Sequence, residues 1–501
     1  MTHHPTCIST IIPLFYSHTQ RTLPTYNTFY QTMKNLIIPH LAFISAFLLI
    51  TPNLKAQTET CNCLDNLNKT IHETELNYAG YPAKVNTNYK KLVSNLQSKA
   101  ATLTAPKQCY YLIREYVRFF KDKHFIISYT NPRDFDSTIL SYSRKTVLPI
   151  EGIWISPDST TKIAIQKSAN GTFNAIKYES STDSFPKGFV YFTLTPKGNE
   201  YFVKKYDAFV STDFPAKQTG NLLHIWNHTV WGKVFPQQMT KAENEELSTW
   251  RNNNNGLAFK KINSEISYLK IPSFYNNDSR IQQLVAASDS TIRNTRYLIV
   301  DLRDNGGGNT GWVYFLPYLM TNPIIQQPAL IRVTPDNIKR KLPELEYFVK
   351  NPIEAEYKKY FPEQVLNAYK KAYAELPTTK ENFYPIPAVT FPLDSITKQP
   401  EKVAVIVNNF CGSSTEYFIS LTDQCKKVIT YGSNTIGMMD YEGMSNPTPL
   451  PYEKFILTIP ITKSNWTDTK PIDQTGFAPD VPIKLPENRW IEFVVDDLPK
   501  R

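Results

Sequence analysis

Two short apolar runs, Tyr297-Leu-Ile-Val300 and Val403-Ala-Val-Ile-Val407, are continuous rather than alternating. Runs of this length bounded by turn formers predict strands buried on both faces. The first leads into Asp301-Leu-Arg-Asp-Asn-Gly-Gly-Gly308 and the second into Asn408-Asn-Phe-Cys-Gly-Ser-Ser-Thr-Glu416. Upstream the pattern differs. Leu92, Leu96, Leu103, Tyr110, Ile113, Val117 and Phe120 recur at spacings near three and four, which predicts an N-terminal helical region over 57–125. Between 150 and 235 the pattern changes to alternation rich in aromatics, as in Gly152-Ile-Trp154, Lys162-Ile-Ala-Ile165, Phe189-Val-Tyr-Phe-Thr-Leu194 and Tyr201-Phe-Val203. Asn-Gly, Pro-Lys-Gly and Lys-Gly-Asn turns separate these runs and predict an antiparallel β insert, barrel-like in character. Asn252-Asn-Asn-Asn-Gly256 reads as a linker to a core over 256–490. Within that core, Lys, Glu, Tyr and Ala at helical spacing predict a helical insertion over 336–376, which either covers a site or presents a solvated face.

With 501 residues the chain is long enough for two or more domains, and 41% hydrophobic with 13% aromatic residues excludes a disordered class. The formal charge of +10 is spread among interleaved acids, so it reads as a solvated basic surface and not a nucleic-acid footprint. Met33-Lys-Asn, the apolar stretch Leu41 to Ile50 and Leu54-Lys-Ala56 follow the order of a bacterial-type signal peptide over 33–56. Residues 1–32 then read as an upstream extension, and the mature chain from Gln57 is expected to be exported, periplasmic or associated with the cell envelope. The apolar core is short for a membrane span, so none is expected after signal cleavage. Of six cysteines, Cys7 falls in the extension, leaving the odd set Cys61, Cys63, Cys109, Cys411 and Cys425. In an exported protein Cys109 is placed to close a loop to Cys61 or Cys63. Cys61-Asn-Cys63 has no second pair at zinc-like spacing, so no metal is expected.

Two segments carry candidate chemistry. Ser413 follows a buried-type strand and precedes a helix-compatible stretch, a position where developing negative charge is favoured. Ser413-Ser-Thr-Glu416 is alternatively a capping box. Gly306-Gly-Gly308 allows backbone N–H groups to approach a ligand closely; its alternative, a phosphate cradle, lacks the following Lys-Ser or Lys-Thr.

Together the two segments resemble the core of the S41 family of serine peptidases, the tail-specific or C-terminal processing proteases. Ile266-Ser-Tyr-Leu-Lys-Ile-Pro-Ser-Phe274, Gly432-Ser-Asn-Thr-Ile-Gly437 and Thr475-Gly-Phe-Ala-Pro-Asp-Val481 resemble further segments of that family in order. The resemblance implies an α/β fold with a ClpP/crotonase-like peptidase core, no cofactor, a peptide or protein substrate and Ser413 as nucleophile. It implies the N–H groups of Ser414 and of Gly307 or Gly308 as oxyanion donors. Many family members carry a PDZ domain before the core, but the β insert here lacks a Gly-Leu-Gly-Phe-type carboxylate-binding loop. Tail-specific members place a lysine and an orienting glutamine where this chain has Met438 and Glu442. Tricorn-type members instead use a histidine from the N-terminal part, and Lys121-Asp-Lys-His124 resembles that segment. His124 is therefore the expected base, oriented by Glu442 or Asp440. Tyr441 is placed to line a specificity pocket. Asp301 and Arg303 are expected to hold the glycine loop by ion pairing, and Glu416 to cap its helix. His224 and His228 read as surface or core of the β insert. Met438 also leaves open a catalytically inactive relative that binds peptides or glycans in the cell envelope.

Overall fold

A computed structural model describes residues 60–501 except 131–137, 144–147, 207–208, 211–212, 228, 356 and 445–446. The upstream extension and signal peptide, with Cys7 and His228, lie outside the described residues. The described chain opens with helices α1 (Cys63–Asn77), α2 (Tyr89–Ala100) and α3 (Pro106–Arg118). Asn62 accepts the Asp65 N–H at the start of α1, and a proline with no N–H to leave unpaired opens α3. Leu67, Leu96, Ile113 and Val117 are buried where these helices meet. A disulfide between Cys63 and Cys109 fastens α1 to α3, while Cys61, Cys411 and Cys425 are free. The chain then enters β1 (Ile126–Tyr129).

The insert follows as β2 (Gly152–Ile155), β3 (Thr161–Lys167), β4 (Phe173–Ser180), β5 (Val190–Lys197), β6 (Glu200–Lys205), β7 (Phe209–Val210), β8 (Phe214–Thr219), β9 (Leu222–Ile225) and β10 (Thr229–Phe235). All but β7 close into an eight-stranded barrel in the order β10-β2-β3-β4-β5-β6-β8-β9. Closure leaves no unpaired strand edge, and Trp154, Ile163, Ile165, Leu194 and Leu223 fill the interior.

The core begins with α4 (Lys241–Ser248), β11 (Ala258–Lys261), β12 (Ile266–Lys270), α5 (Asp278–Arg293) and β13 (Tyr297–Asp301). It continues through β14 (Ile324–Ile325), β15 (Ala329–Arg332), α6 (Pro335–Lys350), α7 (Glu363–Glu375), β16 (Phe383–Ile386), β17 (Thr390–Phe391) and β18 (Lys402–Val407). It ends with α8 (Ser414–Thr422), β19 (Val428–Gly432), β20 (Tyr441–Glu442), β21 (Thr448–Pro449), β22 (Phe455–Thr458), β23 (Thr462–Lys463), β24 (Val481–Pro482) and α9 (Trp490–Asp497). The main sheet runs β11-β12-β13-β18-β19-β24 and is parallel from β12 onward. The continuous apolar runs now have a physical explanation. Leu298, Val300, Val403 and Val405 pack into one cluster with Trp312 and Phe418, while Ile299, Ala404 and Ile406 pack on the other face beneath Trp490 and Val494. Burying such a Val, Leu or Ile contributes roughly 1.5–3 kcal/mol.

Two features of this architecture position a site. Strands β13 and β18 are parallel neighbours, with Asp301 opposite Ile406, so the loops leaving their C-terminal ends emerge side by side. Strand β1 is sandwiched between β22 of the core and β7 of the insert in a four-stranded sheet, β21-β22-β1-β7. That sheet holds the segment just before β1 against the core. The helical insertion, α6 with α7, packs Leu345, Phe348 and Tyr369 into the core cluster, and Asn337 of α6 donates to the Asn77 carbonyl at the end of α1. No helix among the described residues is long and apolar enough to cross a membrane.

Candidate active site

The two loops at the ends of β13 and β18 are stitched together by asparagines. The Asn305 side chain accepts the Gly307 N–H at 2.9 Å and donates to the Ile271 carbonyl, while its own carbonyl accepts from Gly412 at 3.0 Å. Asn408 accepts the N–H groups of Asp304 and Phe410. Short polar side chains that imitate a turn's backbone bonds favour such tight loops. The glycine loop is thereby pressed onto the serine turn. A Cβ on Gly307, which has φ +90°, would lie 2.8 Å from the Ser413 Cβ and 2.7 Å from the Ser414 nitrogen. Ser413 itself sits at φ 51°, ψ −123°, a conformation that costs a non-glycine residue about 1–3 kcal/mol and resembles a nucleophile elbow.

His124 reaches Ser413 from the segment between α3 and β1. Its Nε2 is 3.0 Å from the Ser413 Oγ, across 289 residues of sequence. Its Nδ1 is 2.8 Å from the Tyr441 carbonyl. A carbonyl can only accept, so Nδ1 carries the proton and the Nε2 lone pair faces the serine hydroxyl. Burial holds His124 below the ordinary 6.5, against the opposing pull of Asp122. The ring is accordingly neutral at pH 7. Asp122 fixes the segment by accepting the His124 N–H at 2.8 Å and the Tyr78 hydroxyl at 2.7 Å. Lys123 adds a tether, donating to the Gly437 carbonyl at 2.7 Å.

Several sequence expectations are corrected by this geometry. The capping box does not form: Ser413 makes no capping bond, and the Glu416 carboxylate instead accepts from the Gly437 and Met438 N–H groups and the Thr435 hydroxyl. Glu416 is therefore a brace for the turn after β19, with burial pushing its carboxyl up to about 7 despite those donors. Neither acid named as orienting His124 touches the ring. The Asp440 carboxylate accepts from the Trp466 indole and the N–H groups of Ile472 and Asp473. Glu442 follows the residue whose carbonyl holds Nδ1, and its side chain faces elsewhere. The Tyr441 ring is buried against Tyr78 and Lys84, in the N-terminal aromatic cluster and not in the cavity that Glu442 lines. Met438 is buried with Trp226 and Phe410, its thioether beside Gly412.

The two glycines offered as oxyanion donors are distinguished. The Gly307 N–H is taken by Asn305, whereas the N–H groups of Gly308 and Ser414 have no partner among the described residues. The Ser414 side chain is occupied, donating to the Asn309 carbonyl at 2.6 Å and accepting from the Trp312 indole. Asp301 and Arg303 are ion-paired at 2.6 Å beneath the loop, and the Tyr268 hydroxyl also donates to Asp301.

The barrel contributes a docking face that the sequence did not single out. The Trp226 indole donates to the Phe410 carbonyl at 2.7 Å and its ring fills the space beside Gly306. Lys217 bridges Asp304 and Glu487 at 2.5 and 2.7 Å. Burial opposes the Lys217 charge, but those two carboxylates outweigh it and hold its pKa up. His224, within 3.8 Å of Asp304, is pulled down to about 4 by burial, so it is a neutral member of this interface.

The sequence model of Peptidase family S41 matches residues 265–483. Mature CPAF superposes with a TM-score of 0.50 at 13% identity, covering 88% of this chain and 96% of that one. A putative peptidase from Parabacteroides merdae gives 0.43 at 11% identity over 87% and 97% of the two chains. The photosystem II D1 C-terminal processing protease gives 0.38 at 11% over 84% and 93%. No curated protein sequence matches the chain.

Proposed function

We propose that this chain, which carries a peptidase family S41 domain over residues 265–483, is an exported serine endopeptidase that hydrolyses peptide bonds through an acyl-enzyme on Ser413. The single observation that carries the reading is the 3.0 Å contact between the Ser413 Oγ and the His124 Nε2. In the proposed reaction His124 takes the Ser413 proton as Oγ bonds to the peptide carbonyl carbon. The oxyanion is received by the N–H groups of Ser414 and Gly308. His124 then passes its proton to the leaving amine as the C–N bond breaks; the same ring takes a proton from a water that bonds to the acyl carbon, and returns it to Oγ as the C–Oγ bond breaks. The Tyr441 carbonyl holds the imidazole tautomer and stabilises the imidazolium, the part an acid plays in most serine triads. A histidine base supplies what Met438 withholds from a Ser-Lys arrangement. The export reading is supported by the Cys63–Cys109 disulfide, a bond that persists in oxidising compartments.

The test is labelling of residues 57–501 with a fluorophosphonate serine probe. Labelling of the wild type, lost in Ser413→Ala and strongly slowed in His124→Gln, is the expected result. Absence of wild-type labelling in folded protein would favour the inactive peptide- or glycan-binding relative.

A further inference from the structure

A cavity of about 490 Å³ lies between helix α8 and the small sheet that carries β20. Neither Ser413 nor His124 lines it, but residues linked to each do. Tyr417, one helical turn after Ser413, forms part of one wall, and Glu442, the residue after Tyr441, forms part of another. Strand geometry explains why consecutive residues part company here. Side chains alternate along β20, so the Tyr441 ring turns into the aromatic cluster around Tyr78 while Glu442 turns the opposite way, into the cavity.

The cavity's chemistry is asymmetric. Tyr417, Leu421, Ile472 and Phe477 give it apolar walls. Among the charged groups that line it, the Asp480 carboxylate is already bound by the Thr430 N–H and hydroxyl, and Asp423 interacts with Lys470, which lines the cavity too and leaves three acids there against one base. The Glu442 carboxylate, unlike its backbone, which pairs with β23, has no hydrogen bond or ion pair among the described residues. Burial pushes its carboxyl up to about 7, with Lys341 pulling weakly the other way. Glu442 is half-buried, and a carboxylate that has lost part of its water without gaining a partner is best offset by a cation donating charge-assisted hydrogen bonds. Apolar walls ending at one unspent carboxylate match a side chain with a methylene stem and a charged tip.

We infer that this cavity is a substrate subsite for a lysine or arginine side chain, with Glu442 as its counter-ion. The assignment rests on the peptidase reading of Ser413 and gives that reading a substrate class. It also gives Glu442 a role in selecting substrate and none in orienting the base.

Octapeptides of one scaffold, with Lys, Arg, norleucine or Glu walked through every position, test the subsite on the protein from Gln57 to Arg501. Lys or Arg at one position is expected to raise cleavage of a nearby bond about tenfold over norleucine. Glu442→Gln removes that gain, and Glu442→Lys, confirmed folded by its thermal melt, shifts the preference toward Glu. Cleavage indifferent to charge at every position, or a cationic preference that survives in Glu442→Gln, overturns the subsite. If no peptide is cleaved, the same peptides are titrated calorimetrically into Ser413→Ala and Ser413→Ala/Glu442→Gln proteins. Cationic peptides binding about tenfold more weakly to the double variant keep the subsite while the peptidase reading falls. Binding without charge preference discards the subsite.

Discussion

The two halves of the candidate site are built in different ways. The nucleophile half comes from adjacent parallel strands: β13 and β18 are in register, and Asn305 and Asn408 fasten their loops so that Gly307 abuts Ser413. The base half is brought in from the N-terminal region. His124 is held by a carbonyl from β20, by Asp122 and by the Lys123 tether, on a segment anchored through β1 to β22. The strain and close contacts of the nucleophile are stored within one sheet, while the base depends on one region docking on another. Perturbations of the first half should therefore remove chemistry outright, and those of the second should weaken it by degrees.

The largest expected effect is that of Ser413→Ala, which abolishes covalent labelling, followed by His124→Gln, which slows labelling by about 10²–10⁴ and is read by the rate of probe incorporation. Gly307→Ala comes next. Its methyl group would meet the Gly412 carbonyl at 2.6 Å from a positive-φ position, so a loss of about 10²–10³ in rate is expected, with a thermal melt separating misplacement from unfolding. If Gly307→Ala were silent, the tight join between the two loops would not matter to the chemistry. Lys123→Met removes the tether but leaves His124 in place, and a loss of about tenfold is expected, with kcat falling more than KM rises.

Acid should act on the base half through His124 itself. Because burial lowers the His124 pKa, the neutral ring persists below pH 6.5, and the labelling rate should fall only with a midpoint beneath that value. The same shift favours folding above pH 6.5, a contribution lost as the pH drops from 6.5 to the folded-state pKa. The smallest effect on chemistry, though a clear one on stability, is expected from Cys63→Ser. It opens a loop of 46 residues, for which a chain-entropy estimate gives about 4 kcal/mol, read by the denaturation midpoint.

The nucleophile half was legible in the sequence because its signals are local. Continuous Val and Ile runs mark strands covered on both faces, and Gly306-Gly-Gly308 and Ser413 follow them directly. The antiparallel insert is legible from alternation; Trp154, Phe173 and Phe192 are barrel interior, Trp226 is docking face, and Phe202 stays exposed. What alternation cannot carry is the destination of Trp226, because packing against Gly306 is a property of another domain's loop. His124 was proposed from resemblance, and nothing in its own neighbourhood announces Ser413. The group on its Nδ1 escapes sequence reading for a simple reason: a backbone carbonyl belongs to every residue, so no side-chain identity at 441 marks it. Glu416 was read as a helix cap from its spacing, whereas the strained backbone of Ser413 turns the helix start away from capping geometry. Which glycine keeps a free N–H turned on the Asn305 side chain, a contact that motif reading does not resolve.

The 289 residues that separate His124 from Ser413 also bear on the order of folding. Closing so long a loop is entropically expensive, whereas β13 and β18 pair over a far shorter stretch and build the serine turn from within one sheet. The difference in closure cost is roughly 1 kcal/mol and favours the serine turn forming ahead of its contact with His124. On the proposed acyl-enzyme reading, a chain whose N-terminal region has not yet docked holds a serine turn that is shaped but has no base.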